Sequence, residues 1–266
     1  MKKYITKKDL VLPKRKEDSH KGENGKLLII GGCEDYPGAV ALAGLAALRS
    51  GCDYVTVAVP EKVGYVINSI TPDLVVRKFK GGDLCVNRVK DVLKLEKDHD
   101  VVLIGNGIGM HAKSFVKKYV TYSVLPKVID ADALKHIRLQ DVCNAVLTPH
   151  KKELEILLNN SDLNMGNLKK NLGSNVFVIK GQIDEVISKN EVRYNKTGNP
   201  GMTKAGTGDV LAGLIAGFLC QGLTKEQAAI NGVFISGLAG DKLLKEKKWY
   251  SFIASDLLEK IPYLLH

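Results

Sequence analysis

The chain has 266 residues, 45% of them hydrophobic and 26% charged, with 26 glycines; these are globular proportions that exclude a disordered tail, a collagen-like repeat and a low-complexity segment. The formal charge is +10, and half of that excess lies in residues 1–26, where nine basic residues face four acidic ones. Aromatic residues make up only 6% and are not interleaved with the basic ones, so a stacking platform for single-stranded nucleic acid is not expected, and a basic rim around a site for polyanionic small molecules accounts for the charge equally well.

The N-terminal stretch MKKYITKKDLVLPKRK begins like a signal peptide but lacks the apolar stretch of about 7 to 15 residues that should follow, which predicts a cytoplasmic protein. Residues 1–25 are expected to form a basic arm on or near a single domain running from residue 26 to residue 266. From Lys26 the chain alternates short β-branched apolar runs with longer amphipathic ones, the pattern of a parallel sheet covered by helices. Strands are predicted at 26–31, 54–59, 101–104, 127–129, 145–147 and 176–179, continuous apolar runs of the kind buried on both faces. Helices are predicted between them at 39–50, 86–95, 113–122, 151–158 and 163–171. Two short β-type stretches flanking Lys189-Asn190 within 185–194 predict a hairpin of antiparallel character at the sheet's edge. Three helices follow, at 208–221, 225–246 and 254–264. The longest apolar and glycine run, 210–220, falls short of the ~18 to 20 residues of a membrane span, so no membrane partner is expected. Cys33, Cys52, Cys85, Cys143 and Cys220 are scattered without a C-x-x-C pair and are expected to be reduced thiols.

In a parallel α/β sheet, ligands bind beyond the carboxyl ends of the strands, so the loops there carry the chemistry. The loop 31–38 is flexible and delivers Ala39 to a helix whose Ala41, Ala43, Gly44, Ala46 and Ala47 are best explained by close helix packing. Gly105-Asn106-Gly107-Ile108-Gly109 lacks the G-x-G-x-x-G spacing of a dinucleotide fingerprint. The stretch 148–153 (TPHKKE) predicts a helix start with Thr148 as N-cap and Pro149 as the first helical residue. His150 would then be a neutral imidazole at the helix's positive end, able to bond a substrate, with Glu153 on the same face. A capped helix with a surface His and Glu fits the same residues. The most informative stretch is 197–209 (TGNPGMTKAGTGD). Gly206 and Gly208 let backbone N–H groups turn toward one point, and the helix that follows adds its positive end, which together make an anion hole for a phosphate. Asp209 at its rim is placed to accept a proton from a hydroxyl aimed at that phosphate. No G-x-x-x-x-G-K-[ST] occurs, so the plan differs from that of P-loop enzymes.

Taken together, His20-Lys21-Gly22 with Gly25, the loop 31–38, LAALRSG at 45–51, the loop 104–109, IDADAL at 129–134, LTPHKKE at 147–153, Ile179-Lys180-Gly181 and the stretch 197–213 resemble the ADP- or ATP-dependent NAD(P)H-hydrate dehydratases of the ribokinase-like superfamily, over most of the chain. The resemblance implies a three-layer α/β/α fold with a mainly parallel central sheet and a small antiparallel edge hairpin. It implies a hydro-lyase that restores NADH or NADPH from the S epimers of the hydrated dinucleotides NADHX and NADPHX, consuming ADP or ATP with Mg2+. Asp209 would deprotonate the ring hydroxyl, the terminal phosphoryl group would transfer to it, and phosphate would leave. Ala39, Gly107 and His150 match positions that contact the hydrated dinucleotide, with Asp209 between the two ligands. Lys180, Gly181, Gln182, Ile183, Asp184 and Gly208 match contacts to ADP or ATP, and Gly206 and Thr207 complete the anion hole.

Glu153 resembles the acid of the superfamily's N-x-x-E motif, which orders magnesium and water, with His150 in the first place of that motif. The chain departs from the family's usual residues at Asn106 (Pro), at Lys151-Lys152 (Pro-Gly), at Ala205 (Gly) and at Asp184 (Thr), the last of which bears on a nucleotide contact. The resemblance further implies a homotetramer and a companion epimerase, expected as a separate protein, with no nucleic acid among the partners. A superfamily kinase of a small vitamin-precursor alcohol shares the G-T-G-D stretch and is the alternative, against which His150 and His20-Lys21-Gly22 argue. A nucleic-acid binder using the basic arm is a more distant one.

Overall fold

The apolar runs form the middle of a ten-stranded sheet in the computed structural model, which describes residues 2–265. Its strands are β1 (Lys3–Tyr4), β2 (Lys26–Ile30), β3 (Tyr54–Pro60), β4 (Val75–Phe79), β5 (Val101–Ile104), β6 (Lys127–Ile129), β7 (Ala145–Leu147), β8 (Val176–Ile179), β9 (Asp184–Ile187) and β10 (Val192–Asn195), in the spatial order β1-β10-β9-β8-β7-β6-β5-β2-β3-β4. From β8 to β4 every neighbouring pair is parallel, β9 is antiparallel to both β8 and β10, and β1 runs parallel to β10. The helices are α1 (Pro37–Arg49), α2 (Glu61–Ile70), α3 (Val89–Glu96), α4 (Lys113–Tyr122), α5 (Lys151–Asn160), α6 (Met165–Leu168), α7 (Thr207–Cys220), α8 (Lys225–Lys247) and α9 (Ala254–Lys260).

Successive side chains of a strand point to opposite faces, so β2 feeds two cores. Leu27 and Ile29 join one with α1, α7, α8 and α9, whereas Leu28 and Ile30 join the other with α3, α4 and α5. Helix α7 is apolar on every side and buried from Val210 to Cys220, as a helix enclosed by sheet and helices must be. A Cβ at Gly213 would lie 2.1 Å from the carbonyl oxygen of Ala43, so α1 and α7 meet backbone to backbone. That contact explains the small residues Ala43 and Ala47 of α1, while Gly44 makes room for the Leu74 side chain; Ala41, Ala43, Gly44, Ala46 and Ala47 are all buried.

The structure departs from the expected elements in several places. Helix α2, strand β4 and strand β1 were not foreseen; β4 turns Arg77 and Lys78 outward at the sheet's margin, which hides it from a search for apolar runs. Residues Val86–Arg88 form a 3-10 turn before α3, and of 163–171 only α6 is α-helical, capped by Asn164 and followed by a 3-10 turn at Lys169–Asn171. Helix α9 gives way to a 3-10 turn at Ile261–Leu264, where Pro262 has no N–H to continue it.

Upstream of β2 the chain lies along the domain. Ile5 N–H donates to the Tyr194 carbonyl at 2.8 Å, Asn231 of α8 donates to the Val11 carbonyl at 2.7 Å, and Asp53 accepts the backbone N–H groups of Gly22 and Asn24. All five cysteines are free thiols, three of them buried. No helix among the described residues is long and apolar enough to cross a membrane.

Candidate active site

Asp209 sits in the first turn of α7, behind Gly206, whose φ of 92° is the left-handed conformation that glycine adopts without strain. The N–H of Thr207 donates to the Lys204 carbonyl at 3.3 Å, and its hydroxyl bonds the carbonyls of Met202 and Lys204. Among the described residues no acceptor takes the N–H groups of Gly208 and Asp209, so these two are free for an anion. Burial raises the carboxyl of Asp209 most, the nearby Asp130 and Glu153 raise it further, and a hydrogen bond from Asn106 and the charge of Lys180 act against them; the outcome is a pKa of about 7.

The residues facing Asp209 come from the carboxyl ends of three strands, β5, β6 and β8, with β7 lying between the last two. Asn106 follows β5 and is fully buried; its Nδ2 donates to Asp209 Oδ1 at 2.7 Å and to Asp130 Oδ2 at 3.0 Å. Asp130 follows β6 and accepts from the Thr148 hydroxyl at 2.7 Å and from Lys180 Nζ at 2.8 Å. Lys180 follows β8 and lies 3.8 Å from Glu153 Oε2. Burial pulls its proton off, but Asp130, Glu153 and Asp209 outweigh burial, and its pKa rises.

His150 is the N-cap of α5, which corrects the expected helix start. The Thr148 hydroxyl is spent on Asp130 and on the Ile129 carbonyl, and the Pro149 carbonyl accepts the Lys180 N–H, so sheet-like bonding persists through Pro149 and the helix begins at Lys151. His150 Nδ1 accepts the N–H groups of Lys152 and Glu153, while Glu153 Oε2 accepts the His150 N–H at 2.9 Å, a reciprocal capping box. With Nδ1 accepting, the ring hydrogen is on Nε2, which lies 3.3 Å from Glu153 Oε1 and is half exposed.

Lys180, Gly181, Gln182, Ile183, Asp184, Thr207 and Gly208 line one cavity of about 700 Å³ beside the β9–β10 hairpin and α8. Asp184 closes the turn at its floor, accepting the Gly181 N–H at 3.1 Å and an Asn195 amide hydrogen at 3.0 Å, and burial lifts its pKa. Ala39 and Gly107 lie together elsewhere: a Cβ on Gly107 would be 3.1 Å from that of Ala39. They do not line the cavity, nor do His150, Glu153, Gly206 and Asp209. The residues expected at ADP or ATP, apart from Gly206, thus share one cavity, and Ala39 and Gly107 lie together away from it, while His150 pairs with Lys180 in a parallel bridge. Sequence reasoning gave no role to Asp130, although an acid directly after a strand is the signal that could have found it, and none to the cavity-lining Lys196, Asn199, Met202 and Ser236. Among the described residues no group of three or more His, Cys, Asp or Glu is arranged to hold a metal ion.

A model of the NAD(P)H-hydrate dehydratase family matches residues 27–263. The chain is 43% identical over 260 residues to a bifunctional NAD(P)H-hydrate repair enzyme of Methanocaldococcus jannaschii, covering 96% of this chain and 50% of that one. It is 31% identical over 240 residues to the ADP-dependent (S)-NAD(P)H-hydrate dehydratase of Haloterrigena turkmenica, covering 90% and 92%. Its structure is similar to that of the ADP/ATP-dependent NAD(P)H-hydrate dehydratase from Bacillus subtilis co-crystallized with ATP/Mg2+, with a TM-score of 0.76, 27% identity and coverage of 95% and 93%. The chain spans about half the length of the bifunctional relatives that it matches.

Proposed function

The chain belongs to the NAD(P)H-hydrate dehydratase family, and from that premise we propose that it dehydrates the S epimers of NADHX and NADPHX to NADH and NADPH, with ADP or ATP as phosphoryl donor. The ribokinase-like fold implied by the sequence is the fold observed. The observation that carries the reading is the buried carboxyl of Asp209, held near pKa 7 at the amino end of α7, beside two free N–H groups.

In this reading the hydrated ring approaches from the side of Ala39, Gly107 and His150, and the nucleotide occupies the cavity lined by Lys180, Gly181, Gln182, Ile183 and Asp184. Asp209 takes the proton of the ring hydroxyl, and that oxygen attacks the terminal phosphoryl group, releasing the shortened nucleotide. Phosphate then leaves from carbon, pushed by the lone pair of the ring nitrogen, and loss of a ring proton restores the double bond. Hydroxide is a poor leaving group, and the phosphoryl transfer replaces it with a good one. The chain supplies position and charge: the Gly206–Thr207–Gly208 turn with the α7 N–H groups at the anion, and Lys180 near it.

Magnesium enters as part of this proposal. The buried Glu153 carboxylate already bonds the His150 N–H and faces Lys180, so the side chains do not form a cage. They fit an ion that Glu153 would hold through water rather than by direct ligation. Such an ion neutralises charge on the transferring group. A cytoplasmic location, a homotetramer and a separate activity that interconverts the R and S epimers complete the proposal.

The test is return of the near-ultraviolet absorbance of the reduced nicotinamide from hydrated NADH, run with ADP, ATP and no nucleotide. Nucleotide-dependent recovery with release of phosphate is expected. A stable phosphorylated product from a small alcohol, with no recovery, would favour a kinase instead.

A further inference from the structure

Both amide hydrogens of Asn106 are spent on carboxylates, Asp209 Oδ1 at 2.7 Å and Asp130 Oδ2 at 3.0 Å. Turning the amide over would set its oxygen against both acids, so the chemistry fixes its orientation. The side chain is fully buried, and no protein donor among the described residues reaches Oδ1. Its main chain is held as well, the Asn106 carbonyl accepting the Gly32 N–H at 2.9 Å. The far carboxylate is itself anchored, by the Thr148 hydroxyl and the Lys180 ammonium. Asn106 is therefore a strut between a fixed acid and a carboxyl in the first turn of α7.

We propose that Asn106 is the positioning residue for Asp209, holding that carboxyl in one orientation against Asp130 and stabilising its ionised form. The proposal rests on the reading of Asp209 as the base. The charged groups facing Asp209 are Lys180, which favours the anion, and Asp130 and Glu153, which oppose it. Asn106 is the one side chain among the described residues that donates a hydrogen bond to it. Without that donor, Asp209 faces two acids with Lys180 alone in support, and it keeps its proton to higher pH.

Two measurements on the intact protein test this. In the wild type, with 13C in the aspartate carboxyls and 15N in the asparagine side chains, the Asn106 amide resonances are expected to titrate with the same midpoint as the Asp209 carboxyl, assigned through Asp209→Asn. In Asn106→Leu, with the same branching and heavy-atom count but without donors, the Asp209 midpoint and the acid limb of kcat/KM are expected to move up by about one to two pH units, the worth of a hydrogen bond to a charged group. Asn106→Ser, which restores one donor, is expected to recover part of the shift. A merely structural role would lower kcat at every pH and leave both midpoints in place.

Amide resonances that stay flat through the Asp209 titration, or an unshifted midpoint in folded Asn106→Leu, overturn the proposal. If Asn106→Leu does not fold, the wild-type titration decides alone. Loss of coupling in an active dehydratase counts against the strut. Intact coupling in a protein that does not dehydrate NADHX counts against the activity instead.

Discussion

Lys180 and Asp130 form an ion pair, 2.8 Å from ammonium to Oδ1, in which the carboxylate is buried and the lysine half-buried, with Glu153 as a second anion 3.8 Å from the ammonium. Removing one partner of such a pair strands the other charge away from water. Asp130→Ala is expected to lower the unfolding free energy by about 3 kcal/mol, the low end of the range for a broken buried pair, because Glu153 remains. Asp130→Ala/Lys180→Met should recover part of that loss. Urea unfolding of the three proteins checks this, and a single-variant loss under about 1 kcal/mol would show that the pair does not hold the site together.

Asp209→Asn keeps the shape of the first turn of α7 and removes the base. Turnover is expected to fall by at least about 10²-fold, the lower bound for general-base catalysis, while nucleotide binding by calorimetry stays within about twofold. Undiminished turnover would sink the mechanism.

The same residue makes stability depend on pH. Its carboxyl is raised from 3.8 to about 7, so between those values the folded protein holds a proton that the unfolded chain has released. The stabilising contribution is therefore complete below about 3.8 and is lost as pH rises through about 7. Asp209→Asn has no such proton to lose. It should match the wild type near pH 4 and exceed it above neutrality by on the order of 2 to 4 kcal/mol, read from denaturant midpoints across that range. Parallel curves for the two proteins would show that Asp209 titrates normally.

His150 has two separable tasks. Asn is a good N-cap but lacks the Nε2–H, so His150→Asn is expected to unfold within about 0.5 kcal/mol of the wild type, and His150→Ala to lose about 1 kcal/mol. Both should raise the KM for the hydrated dinucleotide by up to about tenfold, one neutral hydrogen bond's worth. An unchanged KM in both would leave His150 as a cap alone.

Gly213→Ala tests the contact between α1 and α7. The added methyl would fall 2.1 Å from the Ala43 carbonyl, which is backbone and does not yield as a side chain end would. A loss of about 1 to 3 kcal/mol in thermal or urea unfolding is expected. A variant as stable as the wild type would mean that the two helices can slide apart freely.

The central strands could be read locally because they are buried on both faces and their apolar runs are unbroken. Strand β4 could not, since Arg77 and Lys78 interrupt its run, and β1 is two residues long and exists only through its pairing with β10. At the site, the turn before α7 was legible from its glycines and Asp209 from its place after them. The bridge from Asn106 to Asp209 was not, because it joins residues 103 positions apart that meet only when β5 is laid beside α7. The start of α5 was misplaced for a similar reason: Thr148 has the right chemistry for a cap, but its hydroxyl answers to Asp130, 18 positions earlier.

The two margins of the sheet carry a consequence for how copies of this chain can meet. One margin is β4, with the exposed cations Arg77 and Lys78, and the other is β1, too short to offer a row of unpaired N–H and C=O groups. Neither is a template on which a foreign strand can grow, so edge-to-edge aggregation is discouraged at both ends. Self-association is left to the helices and loops that clothe the sheet.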